Sequence, residues 1–360
     1  MPPHLKRGNT AAKQGIYFYM KRLKFLSANA VFSAVLTLVV LSSLILTPVF
    51  CKKPAAADSG GIKYEAIINV WHADTFDGGV GSRAAFLQKR ADEFSKKHKG
   101  ALVLVTARTV GSIIEDFKKG VYPDAISYGI GGIDPSAFLA LNKKDLFKGG
   151  EIGGKFYGAA YLRGQYFLFA HGAGGEKKAS EILVYSAENY STATAAALSD
   201  FNGVSKKFVF SDKTQAARRF LNDKTVALIG TQRDLYRLKA AGAEFTAVPL
   251  GEFCDLYQYL SVITTDEVKN ARIVQFLDYL LSDEAQLKAF NLMMLPVKSG
   301  LNPENADGDI KAAYSKIPDY TLPPYSLKSE IDGVKAAAEK TLAAGGDKDK
   351  SELLSLLKPL

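Results

Sequence analysis

Apolar and polar positions alternate along this chain in a regular order. "YEAIINVW" (64–71) is a short run rich in β-branched residues, bounded by polar segments, and predicts a buried strand. "SRAAFLQKRADEFSKKHKG" follows, with Phe86, Leu87, Ala91 and Phe94 on one helical face and charges on the other. Ser82 is placed to cap that helix and Gly100 to stop it. "ALVLVT" (101–106) predicts a second strand, "VGSIIEDFKKG" (110–120) a second helix and "PDAISYG" (123–129) a third strand. A strand–helix–strand–helix–strand order implies a parallel sheet with crossover helices, an α/β protein.

Beyond this unit, two short strands are expected within "KFYGAAYLRGQYFLFAHG". "EKKASEILVY", "ATAAALSDF" and "TQAARRFLNDK" read as helical or mixed. "TVALIGT" (225–231) is a clear strand into a Gly turn, "RDLYRLKAAG" (233–242) a helix ended by Gly242, and "EFTAVPLG" another strand. Residues 268–294 are strongly helical, with a break at Ser282-Asp283 where a new cap can start, and the C-terminal tail is helical. No internal repeat is visible, and the Ala/Thr-rich 191–197 reads as helix or loop rather than linker.

Charge and cysteines change the picture at the N-terminus. The formal charge is +9, which invites a nucleic-acid or membrane-surface reading. Residues 1–57, however, hold eight Lys or Arg and no Asp or Glu, so almost all of the surplus sits there and no nucleic-acid partner is expected. The same segment has a basic cluster, an uncharged run from Phe25 to Phe50 and an A-x-A site at Ala55–Ala57, the pattern of an export signal. Met20, directly before "KRLK", reads as the true start. The apolar run is also long enough to span a bilayer, so a retained signal anchor is a second reading. Cys51 offers a third, lipidation, although Phe50 stands where a lipobox has a small residue. The body is expected outside the cytoplasmic membrane, free or tethered. Cys254 is then alone in the mature chain, and no intrachain disulfide is available.

These patterns together resemble a known family. "FLNDKTVALIGTQRDLY" followed by "FLDYLLSDEAQLKAFNLMMLPVKSGL" is similar to the second half of bacterial extracellular solute-binding proteins of ABC transporters, of the sugar-binding type (family 1). Phe276, Tyr279, Leu280, Ser282, Glu284, Gln286, Leu295, Pro296, Val297 and Gly300 carry the match. "INVWHADTF", "FLQKRADEFSKKHKG", "PDAISYG" and "GKFYGAAYLRGQYFLF" agree in order. The chain departs where the family often has Trp after the Gly turn and this sequence reads Thr231-Gln232-Arg233. It has one Trp in all. The resemblance implies a two-lobed periplasmic-binding-protein-like fold (type II), each lobe a mostly parallel sheet flanked by helices, with a hinge between lobes. One lobe would take 62–165 plus 262–302, the other 166–261 plus 303–360. It also implies a monomer that takes a small solute, a carbohydrate first of all, and meets ABC permease subunits in the membrane. A non-sugar solute such as an anion or ferric iron, and a membrane-anchored ligand sensor, are the alternatives.

Candidate chemistry gathers in "VWHADTFDGGVGSRAAFL" (70–87). Its glycines fit neither G-x-x-x-x-G-K-[ST] nor G-x-G-x-x-G, because no Lys follows the last Gly and Ala84 stands where a third Gly is needed. His72, Asp74 and Asp77 have ligand chemistry but no metal-site spacing. Tyr257 and Tyr259 in "LYQYL" would share a strand face, as tyrosine ligands to ferric iron could, or as cleft or core residues. Cys254 lacks a His partner, no G-x-S-x-G occurs, and paired Asp74 and Asp77 are read as polar loop residues before acid–base catalysts. No enzyme activity, cofactor or bound metal is expected. In open α/β sheets ligands sit beyond the carboxyl ends of strands. That rule picks out His72, Asp74, Thr75, Phe76, Ser82 and Arg83 after the first strand, Arg108 after the second and Tyr128 after the third. It adds Gln232, Arg233 and Asp234 after "TVALIGT", and Tyr161, Arg163 and Tyr257 near the hinge. Asp234 as a helix cap and Trp71 as core are the plainer readings for those two residues.

Overall fold

The computed structural model describes residues 64–131, 133–143, 146–172, 178–200, 207–344 and 350–360. All belong to one unit spanning Lys63–Leu360. The expected export signal, with Met20 and Cys51, lies outside the described residues.

β1 (Ala66–His72) buries alternate positions, Ala66, Ile68, Val70 and His72, as a strand with one covered face should. α1 (Arg83–Lys97) starts where Ser82 accepts from the Ala85 amide at 3.1 Å and buries Leu87, Ala91 and Phe94. β2 (Ala101–Ala107), α2 (Val110–Lys118) and β3 (Ala125–Tyr128) follow as expected, β3 buried along its whole length. A short hairpin, β4 (Glu151–Ile152) and β5 (Lys155–Phe156), leads to β6 (Ala159–Arg163).

The chain then crosses to a second sheet. Its strands are β7 (Tyr166–Ala170), β8 (Glu181–Val184), β9 (Lys207–Phe210), β10 (Val226–Thr231) and β11 (Thr246–Pro249). α3 (Thr192–Leu198), α4 (Lys213–Asn222) and α5 (Gln232–Ala240) connect them. It returns as β12 (Tyr257–Val262), α6 (Glu267–Leu280) and α7 (Asp283–Leu287), and ends in α8 (Gly308–Tyr314), β13 (Tyr320–Thr321), α9 (Lys328–Ala343), α10 (Ser351–Ser355) and β14 (Lys358–Pro359).

The first sheet runs β2-β1-β3-β12-β6 and the second β9-β8-β10-β7-β11. In each, three strands are parallel, the fourth is antiparallel and the fifth pairs with the fourth. The antiparallel strand is in both cases the one that has just arrived from the other sheet. Two copies of one architecture therefore arise without a sequence repeat.

Two details differ from the sequence reading. "EILV", within a stretch read as helical or mixed, is the strand β8, and "KFVF", which the sequence reading left unassigned, is the strand β9, because buried β-branched and aromatic runs this short are ambiguous by period alone. β12 pairs with β3 and β6 in the first sheet, so the return crossing precedes Tyr257 rather than following Ser261. α3 is buried on every side, which its Ala and Thr side chains permit by letting α9 approach closely.

Candidate ligand-binding cleft

In both sheets the three parallel strands end toward the segments that meet between them. From the first sheet come the loop after β1 (73–82) and the turn after β3; from the second come residues 185–191, the start of α4 and the start of α5. They touch directly. Asn189 Nδ2 donates to the Thr75 carbonyl at 3.2 Å, and Arg233 Nη1 to the Gly79 carbonyl at 3.3 Å. Lys213 pairs with Asp77, and Arg237 Nη1 lies 3.9 Å from the same carboxylate.

The β1 loop owes its shape to Gly79, whose φ of +62° is left-handed. A Cβ there would collide with the Leu292 carbonyl, which accepts from the Val80 amide at 2.6 Å. The loop is thus pinned to the end of the 3-10 helix Lys288–Leu292 that follows α7, and Asp74, Phe76 and Asp77 are held at the interface.

Between the loops lies a cavity of about 170 Å³. Asp74, Phe76, Asp77, Arg83 and two glycines line it from the first lobe; Arg233 and Arg237 line it from the second. Arg83 is buried, donating from Nε to Asp74 at 2.7 Å and from Nη2 to the Phe76 carbonyl at 2.6 Å. Its guanidinium carbon sits 4.0 Å from the Phe76 ring centre, and its Nη1 has no hydrogen-bond partner among the described residues. Planar acids and guanidinium groups on facing walls suit a ligand with several hydroxyls, each of which both donates and accepts.

Asp74 is held from behind by a buried chain. His72 Nε2 lies 3.0 Å from Asp74, His72 Nδ1 3.0 Å from Ser127 Oγ, and Ser127 Oγ 2.8 Å from the Tyr161 hydroxyl. Gln258 Nε2 donates to Ser127 Oγ at 3.0 Å. One arrangement of protons satisfies every bond. Tyr161 and Gln258 donate to Ser127, Ser127 donates to Nδ1, and Nε2–H donates to the Asp74 carboxylate. Burial alone would raise the Asp74 carboxyl, but the His72 hydrogen bond and the Arg83 charge outweigh it and hold the group down at about 2. Asp77 likewise sits below the ordinary range, since Lys213, Arg237 and Arg233 overcome its partial burial. Asp74, His72 and Ser127 stand in the order of a hydrolase triad, yet Ser127 is fully buried and its oxygen is taken up by three partners. The arrangement orients a carboxylate and exposes no nucleophile.

Of the residues expected at the ligand, the cavity brings together Asp74, Phe76, Arg83 and Arg233. His72, Thr75, Tyr128 and Tyr161 are buried behind it; Tyr128 bonds Ser261 at 2.8 Å and packs on Phe138. Ser82 caps α1. Arg108 pairs with Asp116 and lies over Trp71, which packs on Phe117 as the core reading expects. Asp234 closes a capping box with Thr231 and accepts from Tyr185. Gln232 is buried beside Gly164, both its side-chain polar atoms unpaired among the described residues. Arg163 and Tyr257 line a different cavity. Asp77, read in the sequence as a polar loop residue before a metal or acid–base candidate, and Arg237 are the additional lining residues. Arg237 follows Arg233 by one helical turn on α5, a spacing that could have pointed to it. Among the described residues no group of three His, Cys, Asp or Glu is placed to hold a metal, and no helix is long and apolar enough to cross a membrane.

No family model and no curated protein matches this sequence. Solved structures do match in fold. The sugar-binding protein MalE from Xanthomonas citri superposes with a TM-score of 0.57 at 12% identity, over 81% of this chain and 95% of that one. The cyclic alpha-maltosyl-1,6-maltose binding protein from Arthrobacter globiformis gives 0.54 at 12% identity, over 81% and 96%. Maltose-bound MalE3 of T. maritima gives 0.52 at 14%, over 81% and 98%. The fold is that of the two-lobed solute-binding proteins, as the resemblance implied.

Proposed function

We propose that this chain is the exported solute-binding component of an ABC importer and that it closes on a carbohydrate between its lobes. One observation carries the reading. Loops from the carboxyl ends of both sheets converge on a single charged cavity, Asp74 and Arg83 facing Arg233 and Arg237. Hinge closure around a ligand is the recurring motion of two-lobed proteins. The lobes comprise 64–163 with 257–295 and 166–249 with 308–360, and a membrane permease receives the solute from the closed form. The proteins of like fold named above bind sugars, which supports the ligand class. The cavity falls below the 300–1,000 Å³ usual for drug-sized ligands. Phe76, the aromatic ring in it, already stacks on Arg83. Both facts favour a single sugar ring over an oligosaccharide.

A thermal-shift screen of the purified chain against monosaccharides, polyols and sugar acids tests this. A ligand of the folded form alone raises the melting temperature with concentration. No response to any of them would remove the proposal. The apolar run at 25–50 favours a second reading, an anchored sensor. N-terminal sequencing separates the two: a mature end near Asp58 indicates release, an intact leader the anchor.

A further inference from the structure

A second cavity, of about 550 Å³, shares no lining residue with the cleft. It lies where the chain crosses between the sheets, walled by Arg163 and Tyr257 on one side and by residues 296–301 and α8 on the other. Arg163 is 6% exposed. Its three hydrogen bonds all go to neutral oxygens: the Pro296 carbonyl at 3.3 Å, Gln165 Oε1 at 3.1 Å and the Tyr314 carbonyl at 2.9 Å. No carboxylate pairs with it among the described residues. A buried charge without a counter-charge is costly unless something supplies one. The surroundings do not: the described lining contains Lys298 and Lys311 and no Asp or Glu. Lys298 is neutralised by Asp283, but the Lys311 ammonium reaches, among the described residues, only the Glu304 carbonyl, at 2.6 Å. The Tyr257 hydroxyl, fully buried, is also without a partner among the described residues. Beside Ser299 and Ser315, the rest of the wall is mostly apolar, with Phe147, Val297, Leu301 and Ile317, the last 70% exposed at the rim.

We propose that this cavity binds a small organic carboxylate with an apolar body, the carboxylate toward Arg163 and Lys311 and the body against Phe147, Val297 and Ile317. A guanidinium meets a carboxylate with charge-assisted hydrogen bonds, and a mostly apolar wall with a few polar groups is how small-molecule sites are built. The site is separate from the cleft and stands whether or not the cleft holds a sugar.

Calorimetric titration of the full chain with 3-phenylpropionate, its neutral amide and inorganic phosphate tests the proposal. The acid is expected to bind one per chain, at least about tenfold tighter than either the amide or phosphate. Equal binding of acid and amide, phosphate binding as tight as the acid, or no saturable binding of the acid would each overturn it. Arg163→Gln should abolish the acid–amide preference; a folded variant that keeps it shows the arginine to be a structural tie only. Should that variant not fold, Ile317→Glu and Lys311→Gln carry the test. Lys311→Gln should weaken the acid several-fold and leave the amide unchanged, Ile317→Glu should weaken both and the acid more, and an unchanged affinity for the acid in both variants contradicts the site.

Discussion

Asp74 shows how one side chain can be fixed by residues buried behind the cavity wall. His72, Ser127, Tyr161 and Gln258 come from four strand segments and converge behind it, while Arg83 grips it from α1. Asp74→Asn keeps the size but removes the charge that Arg83 and His72 meet. Ligand affinity should fall by about tenfold or more, with a stability loss of about 1–2 kcal/mol because Asp74 is half-exposed and solvent screens the pair. Calorimetry and urea unfolding check the two parts. Asp74 is depressed, so its contribution is full above the unfolded value of 3.8 and is lost as pH falls toward about 2. Asp255 is the opposite case. It lies in the segment between the sheets, fully buried, accepting from the Tyr166 hydroxyl at 2.7 Å. Burial raises its carboxyl to about 7 against that bond. Its stabilising contribution is complete below 3.8 and disappears as pH rises through about 7. Asp255→Asn keeps an acceptor for Tyr166. It should flatten the stability profile between pH 4 and 8, gaining up to a few kcal/mol over the wild type at the upper end, as denaturant unfolding at several pH values would show.

At the scale of elements, the start of α5 joins local structure to the cleft. Thr231 accepts from the Arg233 amide at 3.2 Å while Asp234 accepts from the Thr231 amide at 2.9 Å, which orients the first turn so that Arg233 and Arg237 reach the cavity. Thr231→Ala should cost about 1 kcal/mol, a lost cap. Asp234→Ala should cost about 2–3 kcal/mol, because the buried Tyr185 hydroxyl also loses its acceptor. Urea midpoints distinguish the two. The strands, helices and caps around this element were legible in the sequence, since periodicity and capping chemistry are local. The rule that ligands sit beyond strand ends picked Asp74, Phe76, Arg83 and Arg233, which line the cavity. It also picked Tyr128, Tyr161 and Gln232, which the fold buries, because strand ends say where a chain points and not what the opposite lobe covers. Membership of β12 in the first sheet was hidden for the same reason: pairing across some 130 residues leaves no local mark.

For the whole molecule, Lys213, Arg233 and Arg237 bridge to Asp77 and Gly79, so the lobes hold together through their own charges. Lys213 also stands over the rings of Tyr185 and Tyr190, at 5.5 and 5.9 Å. Lys213→Gln should therefore favour an opened form. Small-angle scattering should show a larger radius of gyration for the variant in the absence of ligand, and addition of a sugar that binds should restore the compact value. Identical radii for variant and wild type would show that these bridges do not hold the lobes.

The central claim is that the cavity between the lobes binds a carbohydrate. Calorimetric titration of the wild type and of Arg233→Ala with the sugar that responds best in a thermal screen tests it most directly. One saturable site is expected in the wild type, and binding weakened about tenfold or more in Arg233→Ala, since Arg233 lines the cavity from the second lobe. Equal affinity in both proteins, or no binding by the wild type, would contradict it.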